Sequence, residues 1–213
     1  MKEVILWGGT GQSRVLREAL AYSGFQVVAI FDNRPIRSPF PDVPIHLGQE
    51  GFHAWLASRT TATTLHACVA IGGSRGSDRL SLLQWLQQQG VQPLTVIHPR
   101  AFVASDAHIG DGAQILAMSA TCSNVTLGRA VIVNTSASID HDCVIGDGVH
   151  IGPGANLAGE VCVGEYAFIG AGAVVLPRLK IGRSAIVGAG AVVIRDVAAD
   201  EVVVGNPAVT LRR

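Results

Sequence analysis

The sequence predicts two architectures in series: a small parallel α/β sheet over residues 1–98, then a three-sided all-β parallel solenoid over residues 99–213. Three observations predict it. Short apolar runs alternate with helix-period segments in the first half. A six-residue repeat holds a single phase through the second. The apolar content is 48% hydrophobic but only 5% aromatic, alongside 25 glycines, a mix that favours thin, regular aliphatic packing over a core of large rings.

In the first half, residues 4–7 (VILW) read as a short buried strand leading into the turn Gly8-Gly9-Thr10-Gly11. Residues 13–23 carry Val15, Leu16, Ala19 and Leu20 at helical spacing, and Gly24 ends that helix. Residues 26–31 (QVVAIF) form a second strand closing on Asp32-Asn33, and the four prolines of residues 34–44 make a loop. Residues 64–71 give a third strand, Gly72-Gly73 a turn, residues 78–89 a helix, and residues 94–97 a fourth strand. The order β-α-β-β-α-β implies a small parallel, Rossmann-like sheet.

From residue 101 the chain divides into sixes, and the third residue of each block runs from Val103 to Val193. Of these sixteen positions fifteen are Val, Ile or Leu, and Thr121 alone departs. Two places after the aliphatic stands repeatedly a small or turn-forming residue, so the chain turns a corner every six residues and closes a coil every eighteen. The repeated aliphatics point inward.

Lys+Arg and Asp+Glu both number 16, so no general basic field exists to hold nucleic acid or anionic lipid. No apolar run reaches the roughly 18 residues of a membrane span, and the N-terminal run is too short for a signal peptide. Cys68, Cys122, Cys143 and Cys162 lack metal-binding or redox spacing and read as buried free thiols. A cytoplasmic protein, without nucleic-acid binding or membrane insertion, is expected.

The hexads match the [LIV]-[G/A]-x-x-[small]-x pattern of the hexapeptide-repeat acyltransferases. Within that superfamily the chain resembles the NeuD/PglD-like sugar acetyltransferases. The shared segments are the opening glycine turn, Phe31-Asp32-Asn33, Ala70-Ile71-Gly72, Val96-Ile97-His98-Pro99, Val133-Asn134-Thr135-Ser136 through Asp140-His141-Asp142-Cys143, Leu176-Pro177, and Gly205-Asn206-Pro207-Ala208. The resemblance implies that the solenoid is a left-handed β-helix, a hand the period does not dictate. It also implies a homotrimer, acetyl-CoA as co-substrate in the groove between subunits, and a nucleotide-linked sugar on the N-terminal module. The reaction it implies is transfer of acetyl to an amino group of that sugar, with O-acetylation of a sialic acid or another sugar hydroxyl as the alternative.

Two places beyond Ile139, His141 belongs at a corner, where an imidazole is either a solvated surface group or a general base titrating near neutrality. The motif match assigns it the base. Asp142 is placed to orient the ring, or is a solvated turn residue; Asp140 is a second candidate. Gly159, one coil beyond His141, either offers its N–H to the thioester oxyanion or needs a positive φ, or both. For the substrate the candidates are Gly9, Gly11 and Gln12 in the first turn, Asp32, Asn33, Gly72, Gly73 and His150. The turn is an incomplete dinucleotide fingerprint, with Arg14 at the third glycine position and Gln12 where many relatives have His. Arg14 and Arg79 pair with a diphosphate or face solvent. For the CoA tail the candidates are Ala171, Gly172, Ala189 and Gly190, with Lys180, Arg183 and Arg195 near its phosphates. A zinc hydratase needs three converging imidazoles, which His108, His141 and His150 do not offer, and no metal site is expected. A non-catalytic solenoid or NAD-binding regulator is the remaining alternative.

Overall fold

A computed structural model describes residues 1–60 and 63–211; the last two residues of the expected second domain lie outside it. The N-terminal elements run β1 (Lys2–Trp7), α1 (Gly11–Leu20), β2 (Phe25–Asp32), β3 (Ile45–Leu47), α2 (Gly48–Ala57), β4 (Leu65–Val69), α3 (Gly76–Gln88) and β5 (Gln92–Pro93). All pairings are parallel and the order is β3-β2-β1-β4-β5. The chain therefore reverses direction across the sheet between β1 and β4, where doubly wound sheets open a crevice at the strand C-termini.

Three features depart from the sequence reading. The third strand and second helix, β3 and α2, were not anticipated: one is three residues long and the other carries Gly51 mid-helix. A side chain at Gly51 would press on His46 Cβ at 3.1 Å, so the glycine lets α2 close over β3. The expected fourth strand over residues 94–97 divides. Gln92–Pro93 completes the first sheet, whereas Val96–Ile97 pairs with Gln114–Ile115 and opens the solenoid. The module also concentrates the rings. Trp7 stacks on Phe31 at 5.4 Å, and Phe52 and Trp85 meet edge to face at 5.1 Å, so this half has the aromatic core that the composition argued against.

The solenoid has three faces of two-residue strands. Face I stacks Val96–Ile97, Gln114–Ile115, Ile132–Val133, His150–Ile151, Phe168–Ile169 and Ile186–Val187, and ends in Val202–Val204 with the antiparallel Val209–Thr210. Face II stacks Phe102–Val103, Ala120–Thr121, Ser138–Ile139, Asn156–Leu157, Val174–Val175 and Val192–Val193. Face III stacks His108–Ile109, Thr126–Leu127, Val144–Ile145, Cys162–Val163 and Lys180–Ile181. Up to Val193 each strand residue pairs with the one eighteen places on, as Ser138 does with Asn156; in the last coil the step shortens to sixteen, from Ile186 to Val202.

The expected aliphatic row is inside, and Thr121 is inside with it, its hydroxyl lacking a partner among the described residues. A second inward row stands two residues before the first: Ala113, Val125, Val131, Ala137, Cys143, Val149, Ala155 and their successors to Ala191 are buried, apart from the half-buried Leu179. Corners are equally regular. Every sixth residue from Gly112 to Gly190, fourteen in all, has a positive φ, and nine of these are not glycine.

The module sits on face I and on the corner between faces III and I. Leu116 and Ile132 of face I join the core beneath α1 and β1, and Ala130 joins the core beneath α3. Gly76 and Gly148 meet so closely that a Cβ on Gly76 would lie 2.1 Å from the Gly148 carbonyl oxygen. Arg79, fully buried, faces neither diphosphate nor solvent as the sequence reading had it. Its guanidinium donates to the carbonyls of Ala130 (2.7 Å), Ile71 (2.7 Å), Gly148 (2.6 Å) and Val149 (3.2 Å), bolting α3 to the solenoid. Burial pulls its pKa down to about 10, which leaves it charged.

Candidate active site

His141 stands on the corner between faces II and III, with about half its side chain exposed. Its backbone N–H is capped by Asp140 Oδ1 at 2.8 Å, and its carbonyl accepts the Glu160 N–H at 2.9 Å, which fixes the corner before the ring is considered. The ring turns Nδ1 to Asp142 Oδ2 at 2.7 Å. Asp142 occupies a left-handed corner position at φ 60°, from which its side chain folds back along the edge. Its other oxygen accepts the Asn124 amide at 2.6 Å from one coil earlier.

Nε2 of His141 points at Gly159. A Cβ on Gly159 would lie 2.6 Å from that nitrogen, so only glycine leaves room for the ring. The residue does not have a positive φ, which removes the backbone reason for a glycine; the left-handed residue of this corner is Glu160. Among the described residues nothing accepts the Gly159 N–H, which stays open beside the imidazole.

The electrostatics follow from the neighbours. The hydrogen bond to Asp142 raises the His141 pKa, partial desolvation works against it, and the charges of Asp140, Asp142 and Glu160 add to the rise. Asp142 is held below the ordinary carboxylate value by the Asn124 amide first and by His141 second. From this corner a groove of about 240 Å³ runs over face II, lined by Cys122, Ser138, Asp140, Asn156, Leu157, Ala158, Val174 and Val175.

The other expected site residues lie elsewhere in the chain. A cleft of about 390 Å³ opens at the C-terminal ends of β1, β2 and β4, lined by Trp7, Thr10, Asp32, Asn33, Arg34, Ile71, Gly72 and Arg75. Of the candidates, Asp32, Asn33 and Gly72 line it. The Asp32 carboxylate is already engaged by the Gly9 N–H (2.9 Å) and by Arg34. Burial pushes it up, and the Arg34 and Gly9 hydrogen bonds outweigh that and leave it low. Gly9 therefore spends its N–H inside the protein, as does Gly73, which donates to His150 Nδ1 at 2.8 Å. Gly11 is exposed at the start of α1, and Gln12 donates to Gln114 Oε1 at 2.7 Å across the seam. Arg14 donates to the Pro39 carbonyl at 3.3 Å.

His150 is buried on face I, with the Asn134 amide 3.0 Å from Nε2 and Phe168 edge-on at 5.3 Å. Burial, with the Arg79 charge behind it, pulls its pKa down to about 4, so the ring is neutral at pH 7. Ala171, Gly172, Ala189 and Gly190 form an exposed strip on the corner between faces I and II, away from His141, and Lys180 is exposed on face III. Arg183 stacks over Tyr166 at 5.2 Å and faces Glu165. Cys68 and Cys143 are buried thiols, pushed up to about 12 and 11 by desolvation, but Cys122 is half-buried and Cys162 exposed, against the uniform burial expected. No group of three His, Cys, Asp or Glu among the described residues is placed to hold a metal. No described helix is long and apolar enough to cross a membrane.

Sequence reasoning missed Asn124 and the buried role of Arg79. For Asn124 a signal existed: it stands eighteen residues before Asp142, hence directly beside it in the coil.

A coiled repeat with a basic group aimed over an open backbone N–H defines the class, a hexapeptide-repeat transferase. Residues 163–195 match the family described as bacterial transferase hexapeptide (six repeats). Perosamine N-acetyltransferase from Caulobacter crescentus, as a histidine-to-asparagine variant in complex with CoA and GDP-perosamine, is 33% identical with a TM-score of 0.92, over 100% of this chain and 98% of that one. The acetyltransferase domain of PglB from Neisseria gonorrhoeae, in complex with acetyl coenzyme A, is 30% identical with a TM-score of 0.87 over 99% of both chains. WeeI from Acinetobacter baumannii is 29% identical, with a TM-score of 0.84. Among curated proteins none matches the sequence significantly. The chain belongs to the sugar acetyltransferases of the hexapeptide-repeat type, and its solenoid is a left-handed β-helix.

Proposed function

We propose that the protein transfers the acetyl group of acetyl-CoA to the amino group of a nucleotide-linked sugar, with His141 as general base. The observation that carries this reading is the His141 ring, oriented by Asp142 at 2.7 Å and directed over Gly159. Two of its relatives support the substrates, one holding CoA with GDP-perosamine and the other acetyl-CoA. In the reaction the sugar amine attacks the thioester carbonyl carbon while His141 Nε2 takes the amine proton. The negative charge formed on the carbonyl oxygen is met by the Gly159 N–H. Collapse of the tetrahedral intermediate breaks the C–S bond, and the imidazolium returns its proton to the departing thiolate. Asp142 stabilises the imidazolium while it exists.

The division of labour follows the two architectures: residues 1–98 hold the nucleotide sugar in the cleft of Asp32, Asn33 and Gly72, and residues 99–213 carry the chemistry. Gly11 and Gln12 border the sugar end, and His150 with Gly73 shapes the wall behind it. Acetyl-CoA lies along face II and its edges, against Ala171, Gly172, Ala189 and Gly190, with Lys180 towards its phosphates. Within one chain the cleft-bearing module covers face I, whereas His141 occupies the corner opposite that face. A complete site therefore requires a second copy to bring its cleft to this corner, and a closed homotrimer does so three times by symmetry. The buried free thiols Cys68 and Cys143 fit a cytoplasmic setting.

Thiol release from acetyl-CoA in the presence of a GDP-linked amino sugar tests the reading. His141→Ala is expected to lower turnover by about 10²–10⁴. Near-normal turnover by that variant would refute the base assignment, and release with a sialic acid alone would reassign the acceptor to a hydroxyl.

A further inference from the structure

The edge between faces II and III carries a polar ladder that the hexad pattern does not require. Its left-handed positions, one per coil, are Asn124, Asp142, Glu160 and Arg178, with φ between 56° and 64°. Side chains leaving equivalent positions run parallel and lie about 4.8 Å apart, within hydrogen-bonding reach of the next coil. The ladder pairs off in two different ways. Arg178 meets Glu160 as a cation on a carboxylate at 3.0 Å. Asn124 meets Asp142 as a neutral amide at 2.6 Å.

We propose that Asn124 is a positioning residue for acetyl transfer, an amide clamp that holds Asp142 Oδ1 so that Oδ2 stays on Nδ1 of His141. The inference rests on His141 being the base. A carboxylate held by one oxygen alone can rotate about its Cβ–Cγ bond and lose the ring; held by both, it cannot. The choice of donor matters too. A guanidinium at position 124 would orient Asp142 but would neutralise the charge that the imidazolium needs. A carboxamide orients and leaves that charge whole. Asparagine also tolerates the left-handed backbone better than most residues, which suits it to a corner at φ 56°. The charged groups facing the His141 ring are Asp140, Asp142 and Glu160, the last partly offset by Arg178.

The test uses the full-length enzyme and the thiol-release assay across pH. Asn124→Gly removes the amide while accepting the positive φ, and Asn124→Asp keeps the shape but adds a carboxylate. Asn124→Gly is expected to lower kcat about tenfold with the KM for acetyl-CoA and the Tm unchanged. Asn124→Asp is expected to move the acid limb of the rate profile to higher pH, because a further negative charge favours the imidazolium. The kcat loss of Asn124→Gly should vanish when Asp142→Gly is already present, since the clamp acts only through Asp142. A wild-type kcat for Asn124→Gly, an unmoved acid limb for Asn124→Asp, or an Asn124→Gly loss that persists undiminished with Asp142→Gly would overturn the proposal. Those results leave the base assignment standing if His141→Ala is still inactive; turnover by His141→Ala overturns both.

Discussion

Two regions of the β-helix each hold a histidine, nine residues apart in the chain and on opposite sides of the coil. On the edge between faces II and III, His141 is half-exposed among three carboxylates, and its pKa is raised. On face I, His150 is buried against Arg79 and the Gly73 N–H, and its pKa falls to about 4. The same side chain is thereby more basic than usual in one place and a wedge that is neutral at pH 7 in the other. Half a turn of the solenoid decides which, because one edge is left to solvent while the opposite face is roofed by the module.

The largest expected effect tests the buried member of the pair. Its folded pKa lies below the unfolded value of about 6.5, so the unfolded state binds more protons between those two values. Stability is then greatest above the higher one and declines towards pH 4, by up to ~3 kcal/mol. Urea unfolding at pH 7 and pH 4.5 measures this, and His150→Asn should remove most of the His-linked part of the slope. Next comes Gly159→Ala, whose methyl group must displace the His141 ring. A fall in kcat of about 10² is expected with little change in Tm; a smaller fall would mean the ring need not sit there. Third, Asp142→Asn removes the group that raises His141. The acid limb of the rate profile should begin above pH ~6.5 in the wild type and move down in the variant, with kcat about tenfold lower. An unmoved limb would show that Asp142 does not govern the imidazole. Smallest is Thr121→Val, inside the solenoid beneath Ile139, one coil before His141. Replacing its hydroxyl, which has no partner among the described residues, by a methyl should stabilise the fold by about 1 kcal/mol and leave both titrations untouched.

Much of this was legible beforehand, and the reason is the repeat. An inward position that recurs every six residues has to be aliphatic, so the solenoid and its corners were visible without any coordinates. The His141–Asp142 pair was readable because its carboxylate and imidazole are adjacent in sequence. Asn124 was missed although the eighteen-residue coil places it beside Asp142, because the two are far apart along the chain and an asparagine at a corner is ordinary. The second inward row was hidden because Ala137 or Ala155 looks the same whether it turns a corner or fills a core. Arg79 was misread for a general reason: nothing in a helix of mixed polarity marks an arginine whose partners are all backbone carbonyls. The three tryptophans were diluted by the long aliphatic half, so an overall 5% concealed a locally ring-built core.

The uninterrupted run of left-handed corners from Gly112 to Gly190 has a consequence for how such a protein can diverge. Adding or deleting one residue within it would put an aliphatic outside and a corner inside, so change by single residues is closed off. A whole coil gained or lost keeps the phase and shifts the His141 edge along the axis by about 4.8 Å without rotating it. The reach between the His141 ring and the cleft of the N-terminal module is in effect quantised, and lineages of this architecture can tune it only in whole steps.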